Sequence, residues 1–291
     1  MPCIEANGLR KTFGSTVALD GIDLRIDDGS IVGLIGPNGA GKTTALNAIL
    51  GLTPFEGQLR VLGRNPWEER DVLMRDVSFI ADVAVLPRWI KVSQLLEYMT
   101  GVHPRFDRAK AEGFLSKGAI QCDRKVRELS KGMVAQLHLA LVMAIDARLL
   151  VLDEPTLGLD ILYRKQFYES LLNDYYDQNR TIVVTTHQVE EIQHVITDLM
   201  FIDAGRIVFR CSMDEFESRY AELAVLPEKV AAARALKPMH ERQVMGRTVY
   251  LFDGGDRQQL AALGEVHTPS IADLFVAVVG KQGRQAEGAP R

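Results

Sequence analysis

The sequence predicts an α/β fold with a mainly parallel sheet, followed by a smaller C-terminal region of different pattern. Continuous apolar runs at residues 30–36, 148–155 and 180–187 are typical of strands that are covered on both faces. Each run is followed by a helical pattern, and this alternation of strand and helix favours a parallel sheet. After about Asp214 the alternation stops, which indicates a separate region.

The first part of the chain predicts short strands before the first helix. Residues 4–13, 17–26 and 30–36 combine apolar and β-branched residues, with turn residues between them. Residues 41–52 have the apolar spacing of a helix. Residues 55–80 return to short strands and turns.

Helical patterns dominate the middle of the chain. From about residue 82 to Ser130 the pattern is helical and irregular, and we expect a helical insert over residues 82–135. Residues 130–147 form the next helix, whose apolar stripe consists of Val134, Leu137, Leu141 and Ala144. Further helices are predicted at residues 161–178 and 188–200.

The region after Asp214 mixes helical and strand patterns. Residues 214–236 predict helix, and residues 243–254 predict a hairpin or strand pair. Ser270 is a suitable N-cap for a short helix that ends near residue 280. The polar tail after it is expected to be disordered. The expected domains are therefore a main domain at residues 1–213, an accessory region at 214–280 and a tail at 281–291.

Composition excludes some classes of function. The 291 residues carry a net charge of −4, which gives no basic surface for nucleic acid and no strong attraction to an anionic membrane. The three cysteines, Cys3, Cys122 and Cys211, are far apart, so a reducing compartment is expected. No apolar run is long enough to predict a membrane span. We therefore expect a globular protein that acts at a membrane only through another chain.

A glycine-rich loop carries the strongest chemical signal. Residues 36–43 fit the pattern GxxxxGK[ST], with a predicted strand before them and a predicted helix after them. Successive backbone N–H groups of such a loop, and the helix N-terminus, bind anions. Lys42 would reach the β- and γ-phosphates, and the hydroxyl of Thr43 would ligate Mg²⁺. The loop therefore predicts ATP and Mg²⁺ as ligands.

The apolar strand at residues 148–155 ends in two carboxylates. Strand ends at the carboxyl edge of an α/β sheet are where ligands bind. Asp153 suits a Mg²⁺ contact, and Glu154 suits a general base that activates water. The alternative is a solvated strand end that Pro155 terminates.

Several motifs of one family occur in the order that the family has them. "GPNGAGKTT" (36–44) is similar to its Walker A motif, and "LLVLDEPTLGLD" (149–160) to its Walker B motif with D-loop. Its signature motif, switch histidine and adenine-contacting aromatic are matched by "LSKGM" (129–133), "VVTTHQVEEI" (183–192) and "KTFGSTVAL" (11–19). Over roughly residues 3–210 the chain resembles the ATP-binding subunits of ABC transporters, in their single-domain, exporter-type, ABC-2-like form.

The resemblance implies a fold and a set of nucleotide contacts. The fold is a P-loop NTPase, with a RecA-like core, an antiparallel β subdomain and a helical subdomain. The adenine would stack on Phe13. The phosphates would contact the loop residues, which are Gly36, Pro37, Asn38, Gly39, Ala40, Gly41, Lys42, Thr43 and Thr44.

The resemblance also implies roles that need a second ATPase subunit. Two ATP would be sandwiched in a head-to-tail homodimer or heterodimer. Ser130, Lys131 and Gly132 would contact the γ-phosphate bound by the partner, and Asp160 would lie across the interface. His187 would contact the γ-phosphate and hold Glu154 or the water in place, so that Glu154 and His187 form the catalytic pair.

Structural interpretations of these residues stay open at this point. Ser130 can be an N-cap, His187 a structural histidine, and Phe13 a core or surface aromatic. Trp89 could face a membrane partner or pack within the helical insert.

Two departures from the family pattern affect the expected roles. Lys131 replaces a glycine of the usual LSGGQ, where its charge could attract phosphate or point to solvent, and Met133 replaces the glutamine. Asp82 stands where the family has a Mg²⁺-sensing glutamine. A carboxylate is a hard oxygen ligand for Mg²⁺, so Asp82 is a candidate metal ligand, or else a surface turn residue.

The predicted function is ATP binding and hydrolysis that powers transport by a separate membrane-spanning permease. The subunit would be cytoplasmic and peripheral on the cytoplasmic face of the membrane, with no nucleic-acid partner. The alternative is an ABC-type ATPase that acts on nucleic acid or ribosomes without a membrane partner. A P-loop small-molecule kinase would lack "LSKGM" and the strand-ending histidine. The transported substrate and the direction of transport are not encoded in these motifs.

Overall fold

The computed structural model describes residues 2–80, 86–118, 120–157, 159–177 and 179–287. The chain divides into two compact units. The N-terminal unit is Met1–Ile196 with Ile202–Ile207, and the C-terminal unit is Thr197–Phe201 with Val208–Arg291.

Two sheets hold the strands that begin before residue 207. The strands are β1 (Pro2–Phe13), β2 (Thr16–Asp27), β3 (Ile31–Ile35), β4 (Glu56–Val61), β5 (Val77–Ile80), β6 (Leu149–Asp153), β7 (Thr181–Thr186), β8 (Asp198–Asp203) and β9 (Arg206–Ser212). The antiparallel sheet has the order β2-β1-β4, and the larger sheet has the order β5-β6-β7-β3-β8-β9. The predicted α/β class and the predicted early strands are confirmed.

The central strands of the larger sheet bury every residue, as their apolar runs predict. They are parallel, with Leu34 opposite Thr185 and Asp153 also opposite Thr185 on the other side of β7. Parallel strands end at the same edge of a sheet. The loops that follow β3, β6 and β7 are therefore brought together at that edge, which positions the candidate site.

The described part of the N-terminal unit contains six α-helices. They are α1 (Lys42–Ile49), α2 (Arg70–Leu73), α3 (Val92–Val102), α4 (Arg108–Lys117), α5 (Lys131–Met143) and α6 (Ile161–Ser170). Helices α3, α4 and α5 share one apolar core, which includes Leu96, Leu115 and Leu137. This core reaches Ala144, so the helical subdomain uses the whole of α5.

The prediction of a helix over residues 188–200 is wrong for most of its length. Only Val189–Glu191 is helical, as one 3₁₀ turn, and Asp198–Met200 begin β8. The buried run from Leu199 to Ile202 explains the strand. The apolar residues before it pack on the sheet, where a Cβ at Gly33 would lie 2.9 Å from Cδ1 of Ile192.

The C-terminal unit contains a four-stranded antiparallel sheet. Its elements are α7 (Met213–Arg219), β10 (Tyr220–Val225), α8 (Val230–Ala235), β11 (His240–Val244), β12 (Arg247–Asp253), α9 (Arg257–Ala261), β13 (Glu265–His267) and α10 (Ile271–Glu287). From β10 to β13 the chain runs β-α-β-β-α-β, with the sheet order β11-β12-β10-β13. This is a split βαβ arrangement.

Two predictions for this unit are confirmed and two are wrong. The hairpin within residues 243–254 is present as β11 and β12, and Ser270 caps α10 by accepting from Asp273 N at 3.0 Å. The continuous helix over 214–236 is interrupted by β10, because Ala221, Leu223 and Val225 alternate into the core. α10 continues to Glu287, so the prediction of a disordered tail at 281–291 is wrong for residues 281–287, and residues 288–291 lie outside the described residues.

Among the described residues, no helix has both the length and the apolar character that a membrane span requires.

Candidate nucleotide-binding and hydrolysis site

The glycine-rich loop joins β3 to α1 and can be made only with glycine at two positions. A Cβ at Gly36 would lie 2.2 Å from Ile202 O, and Gly41 has φ +108° with Ala18 O only 2.7 Å from an added Cβ. Both contacts are with backbone atoms, which cannot move aside cheaply. The loop is fixed from outside by Gly205 N, which donates to Ala40 O at 2.9 Å. Glycine is therefore required at these two positions, although it loses more conformational entropy on folding than other residues.

The amine of Lys42 folds back onto the first residues of the loop. The residue is 6% exposed. Nζ donates to Gly36 O at 2.7 Å and to Pro37 O at 3.2 Å, and it lies 3.7 Å from Glu154 Oε1. A buried positive charge is thus held among backbone acceptors and one carboxylate. Such a charge can bind an anion that enters the loop.

Asp153, at the end of β6, connects the loop to the sheet. Its Oδ2 accepts from Thr43 Oγ1 at 2.8 Å, and its Oδ1 accepts from Thr185 Oγ1 at 2.5 Å. Asp153 is 5% exposed, so these two hydroxyls replace water as its donors. A hydroxyl and a carboxylate side by side are oxygen donors of the type that Mg²⁺ prefers, and Mg²⁺ usually combines one or two carboxylates with substrate phosphates. Thr43 and Asp153 therefore fit a magnesium site.

Glu154 and His187 form a pair beside Lys42. His187 Nδ1 lies 2.9 Å from Oε1 and 3.0 Å from Oε2 of Glu154. Because an ionised carboxylate only accepts hydrogen bonds, Nδ1 is the donor in this pair. The Glu154 side chain is 12% exposed and that of His187 is 39% exposed, so the imidazole is the more accessible partner. The carboxylate is oriented and still reachable by a small molecule such as water.

The backbone at Glu154 is in the left-handed region, with φ +47°. A residue other than glycine costs about 1–3 kcal/mol there, and such residues cluster at active sites. Glu154 N donates to Thr185 O and to Thr185 Oγ1, both at 3.2 Å, which holds this conformation. The turn directs the Glu154 side chain towards Lys42 and His187.

The signature segment stands apart from this cluster. Ser130 is the N-cap of α5, where its Oγ accepts from Met133 N at 3.2 Å, so the capping interpretation is confirmed. Lys131 is exposed and Gly132 is half-buried, with the ring of Tyr163 3.8 Å from an added Cβ. In the described part of the chain, no hydrogen bond or ion pair joins these residues to Lys42, Asp153 or Glu154.

Asp160 and Phe13 also lie outside the cluster. Asp160 is the N-cap of α6 and accepts from Tyr163 N at 3.1 Å. Phe13 is 53% exposed at the end of β1, with Lys11 Nζ 4.9 Å from its ring centroid. Phe13 is therefore a surface aromatic and not a core residue.

Comparisons with known proteins decide the family. A family model described as ABC transporter matches residues 19–157. A Nod factor export ATP-binding protein from Cupriavidus metallidurans is 32% identical, over 97% of this chain and 98% of its own. The chain belongs to the ATP-binding subunits of ABC transporters.

Members of this ABC family are ATPases, so the chain binds and hydrolyses ATP to power transport by a separate membrane subunit.

A sulfate/thiosulfate import ATP-binding protein from Bradyrhizobium diazoefficiens is 34% identical over 70% of this chain and 62% of its own. A solved ATP-binding subunit of an ABC transporter superposes with a TM-score of 0.66 at 22% identity, over 74% of this chain and 92% of that one, and supports the fold. The transporter prediction is confirmed over the nucleic-acid, ribosome and kinase alternatives.

Sequence reasoning missed two groups of residues around the ABC site. Thr185 forms hydrogen bonds with both Asp153 and Glu154. Thr185 lies directly opposite Asp153 where β7 pairs with β6, and this strand pairing could have indicated the contact. Arg164 binds across the loops that follow β6 and β7, and no motif spacing indicates such a contact.

Two predictions concern residues elsewhere in the N-terminal unit. Asp82 lies outside the described residues. Trp89 is 71% exposed, so the interpretation that it packs within the helical insert is wrong.

Proposed function

We propose that this subunit hydrolyses ATP with Glu154 as general base and His187 as the residue that orients it. Glu154 takes a proton from water, and the water oxygen forms a bond to the γ-phosphorus. The bond from that phosphorus to the bridging oxygen breaks, and ADP leaves with the electron pair. The observation that carries this proposal is the Glu154–His187 pair at 2.9 Å beside the buried amine of Lys42.

The loop residues 36–44 are proposed to bind the triphosphate. Backbone N–H groups at the start of α1 favour anions, and Lys42 would exchange its carbonyl acceptors for phosphate oxygens. Thr43 and Asp153 would hold Mg²⁺, whose charge counteracts the charge that develops on the phosphates. Asp82 is proposed as a further candidate ligand from its sequence position alone. The exposed ring of Phe13 would stack on the adenine.

A second ATPase subunit is proposed to complete each site. Ser130, Lys131 and Gly132 begin α5 on the surface, where an anion of a neighbouring molecule can reach them. Asp160 is followed by two exposed apolar side chains, Ile161 at 85% and Leu162 at 63% exposure. A surface of this type favours a protein contact. The dimer, as homodimer or heterodimer, would place this signature segment on the ATP of the partner subunit.

We further infer export as the direction of transport and the cytoplasmic face of the membrane as the location. A Nod factor export relative covers 97% of this chain and so spans both units, whereas the import relative covers 70% of the chain. The C-terminal unit would then be an accessory domain that belongs to the export type. The permease would contact the exposed Trp89 of the helical subdomain.

The test of the proposed chemistry is Glu154→Gln. The amide keeps the shape of the side chain and removes the base, so ATP affinity should be retained while turnover falls at least about 100-fold, the low end of general-base effects. Steady-state ATPase rates and ATP calorimetry measure the two quantities. Glu190→Gln, at an exposed glutamate near His187, is the matched control and should leave both unchanged. Near-normal turnover of Glu154→Gln would contradict the proposal.

A further inference from the structure

Arg164 connects two loops beside the hydrolysis site, the one after β6 and the one after β7. It lies in the first turn of α6, and Nε donates to Leu159 O at 2.7 Å. Nη1 donates to Gln188 Oε1 at 2.5 Å and forms an ion pair with Glu191. Leu159 precedes Asp160, and Gln188 follows His187. One guanidinium therefore contacts both the D-loop and the loop of the switch histidine.

Glu191 extends this connection to the segment after Glu154. Its Oε2 accepts from Thr156 Oγ1 at 2.9 Å, and Thr156 is 3% exposed. Thr156 lies two residues after Glu154. The series of contacts from Arg164 through Glu191 to Thr156 therefore joins the segment of Glu154 to the segment of His187. The loop of His187 is fixed once more by Gln188 N, which donates to Thr186 Oγ1 at 2.9 Å.

The contacts use properties that only arginine has. The guanidinium is planar and presents donors in a fixed fork, whereas lysine offers one flexible ammonium. Arg164 is 23% exposed and Glu191 is 19% exposed, so solvent does not substitute freely for these partners. Loss of the fork would release Gln188 and Leu159 together and allow the His187 loop to shift. A shift of 1 Å in a catalytic group can cost roughly 10²-fold in rate.

We propose that Arg164 is a positioning residue for ATP hydrolysis, which acts by holding the His187 loop against Glu154. The proposal rests on the proposed roles of Glu154 and His187. It assigns to Arg164 an effect on the chemical step and not on nucleotide affinity, because neither Arg164 nor Glu191 contacts the phosphate loop residues in the described part of the chain.

The test uses Arg164→Met, which keeps the length of the side chain and removes the fork. We expect kcat to fall at least about tenfold, within the cost of a small misplacement, while KM for ATP changes less than about twofold. Arg164→Lys should not restore kcat. Lys165→Met is the matched control, since Lys165 is the adjacent, 75% exposed cation and its loss should leave kcat unchanged. Unchanged kcat in Arg164→Met, or a loss confined to KM, would overturn the proposal.

A double-mutant cycle with His187→Ala shows whether Arg164 acts through the histidine. If it does, adding Arg164→Met to His187→Ala lowers kcat no further. A fully multiplicative loss would overturn the proposal. If His187→Ala alone left kcat unchanged, the proposed role of His187 would fail first, which separates the two failures. Should Arg164→Met not fold, Glu191→Gln removes the ion pair with less change in shape; it should lower kcat and not KM, and the cycle with His187→Ala should again show no further loss, whereas unchanged kcat would overturn the proposal.

Discussion

The N-terminal and C-terminal units use their charged side chains in different ways. In the N-terminal unit, Lys42, Asp153 and Glu154 meet at one edge of a parallel sheet and are bonded around a loop that can bind an anion. In the C-terminal unit, charged residues pair across an antiparallel sheet and its helices, as Arg242 does with Glu222 at 2.8 Å and with Asp273 at 2.7 Å.

Strand direction explains this difference. Parallel strands all end at one edge, so the glycine-rich loop after β3 and the polar residues that end β6 and β7 are gathered in one place. Antiparallel strands end alternately at both edges, and the charges of the C-terminal unit are distributed and neutralised locally. We therefore expect removal of the charges gathered at this edge of the N-terminal sheet to affect turnover, and removal of the paired charges of the C-terminal unit to affect only stability.

The largest effect should come from Lys42→Ala. The variant loses a buried charge that would bind phosphate, and hydrogen bonds to charged groups are worth about 1.5–3 kcal/mol, or roughly 10- to 100-fold in affinity. Calorimetry with ATP should show this loss, and ATP turnover should disappear. Lys229→Ala, at an exposed lysine of the C-terminal unit, is the control and should leave affinity unchanged. Equal ATP affinity of Lys42→Ala and wild type would contradict the role of Lys42 in this comparison of the two units.

A smaller effect is expected for Arg242→Met. This change leaves the carboxylates of Glu222 and Asp273 without their shared partner. Because Arg242 is 39% exposed, solvent screens the pair, and the free energy of unfolding should fall by only about 1 kcal/mol. Urea unfolding measures this loss, and turnover should stay within about twofold of wild type. Arg210→Met, at an exposed arginine, is the control. A large fall in turnover with unchanged stability would show that the C-terminal charges also serve hydrolysis.

The sequence predicted most of the fold wherever one physical signal dominated. The apolar and β-branched runs of β3, β6 and β7 predicted buried strands, and the ends of β3 and β6 located the glycine loop, Asp153 and Glu154. The strand β10 was missed because Glu222, Leu223 and Ala224 are also good helix formers and helical patterns flank them. Pairing with β12 and β13 decides that segment, and such pairing is not a local property of the sequence.

Side-chain partners within the site were less predictable than its location. Thr185 lies opposite Asp153 in the pairing of β6 with β7, so the hydrogen bond between their side chains follows from the sheet register. The contacts of Arg164 with Leu159 and Gln188 depend on how one long side chain crosses between two loops. No periodicity or motif spacing encodes that path, and only the folded arrangement reveals it.

The most direct test of the account is a crystal structure of the Glu154→Gln variant with Mg·ATP. We predict the triphosphate within residues 36–44, with Lys42 Nζ on a phosphate oxygen instead of Gly36 O, and a water between the γ-phosphate and residue 154. A structure with that loop empty and the nucleotide bound at another place would contradict the central claim.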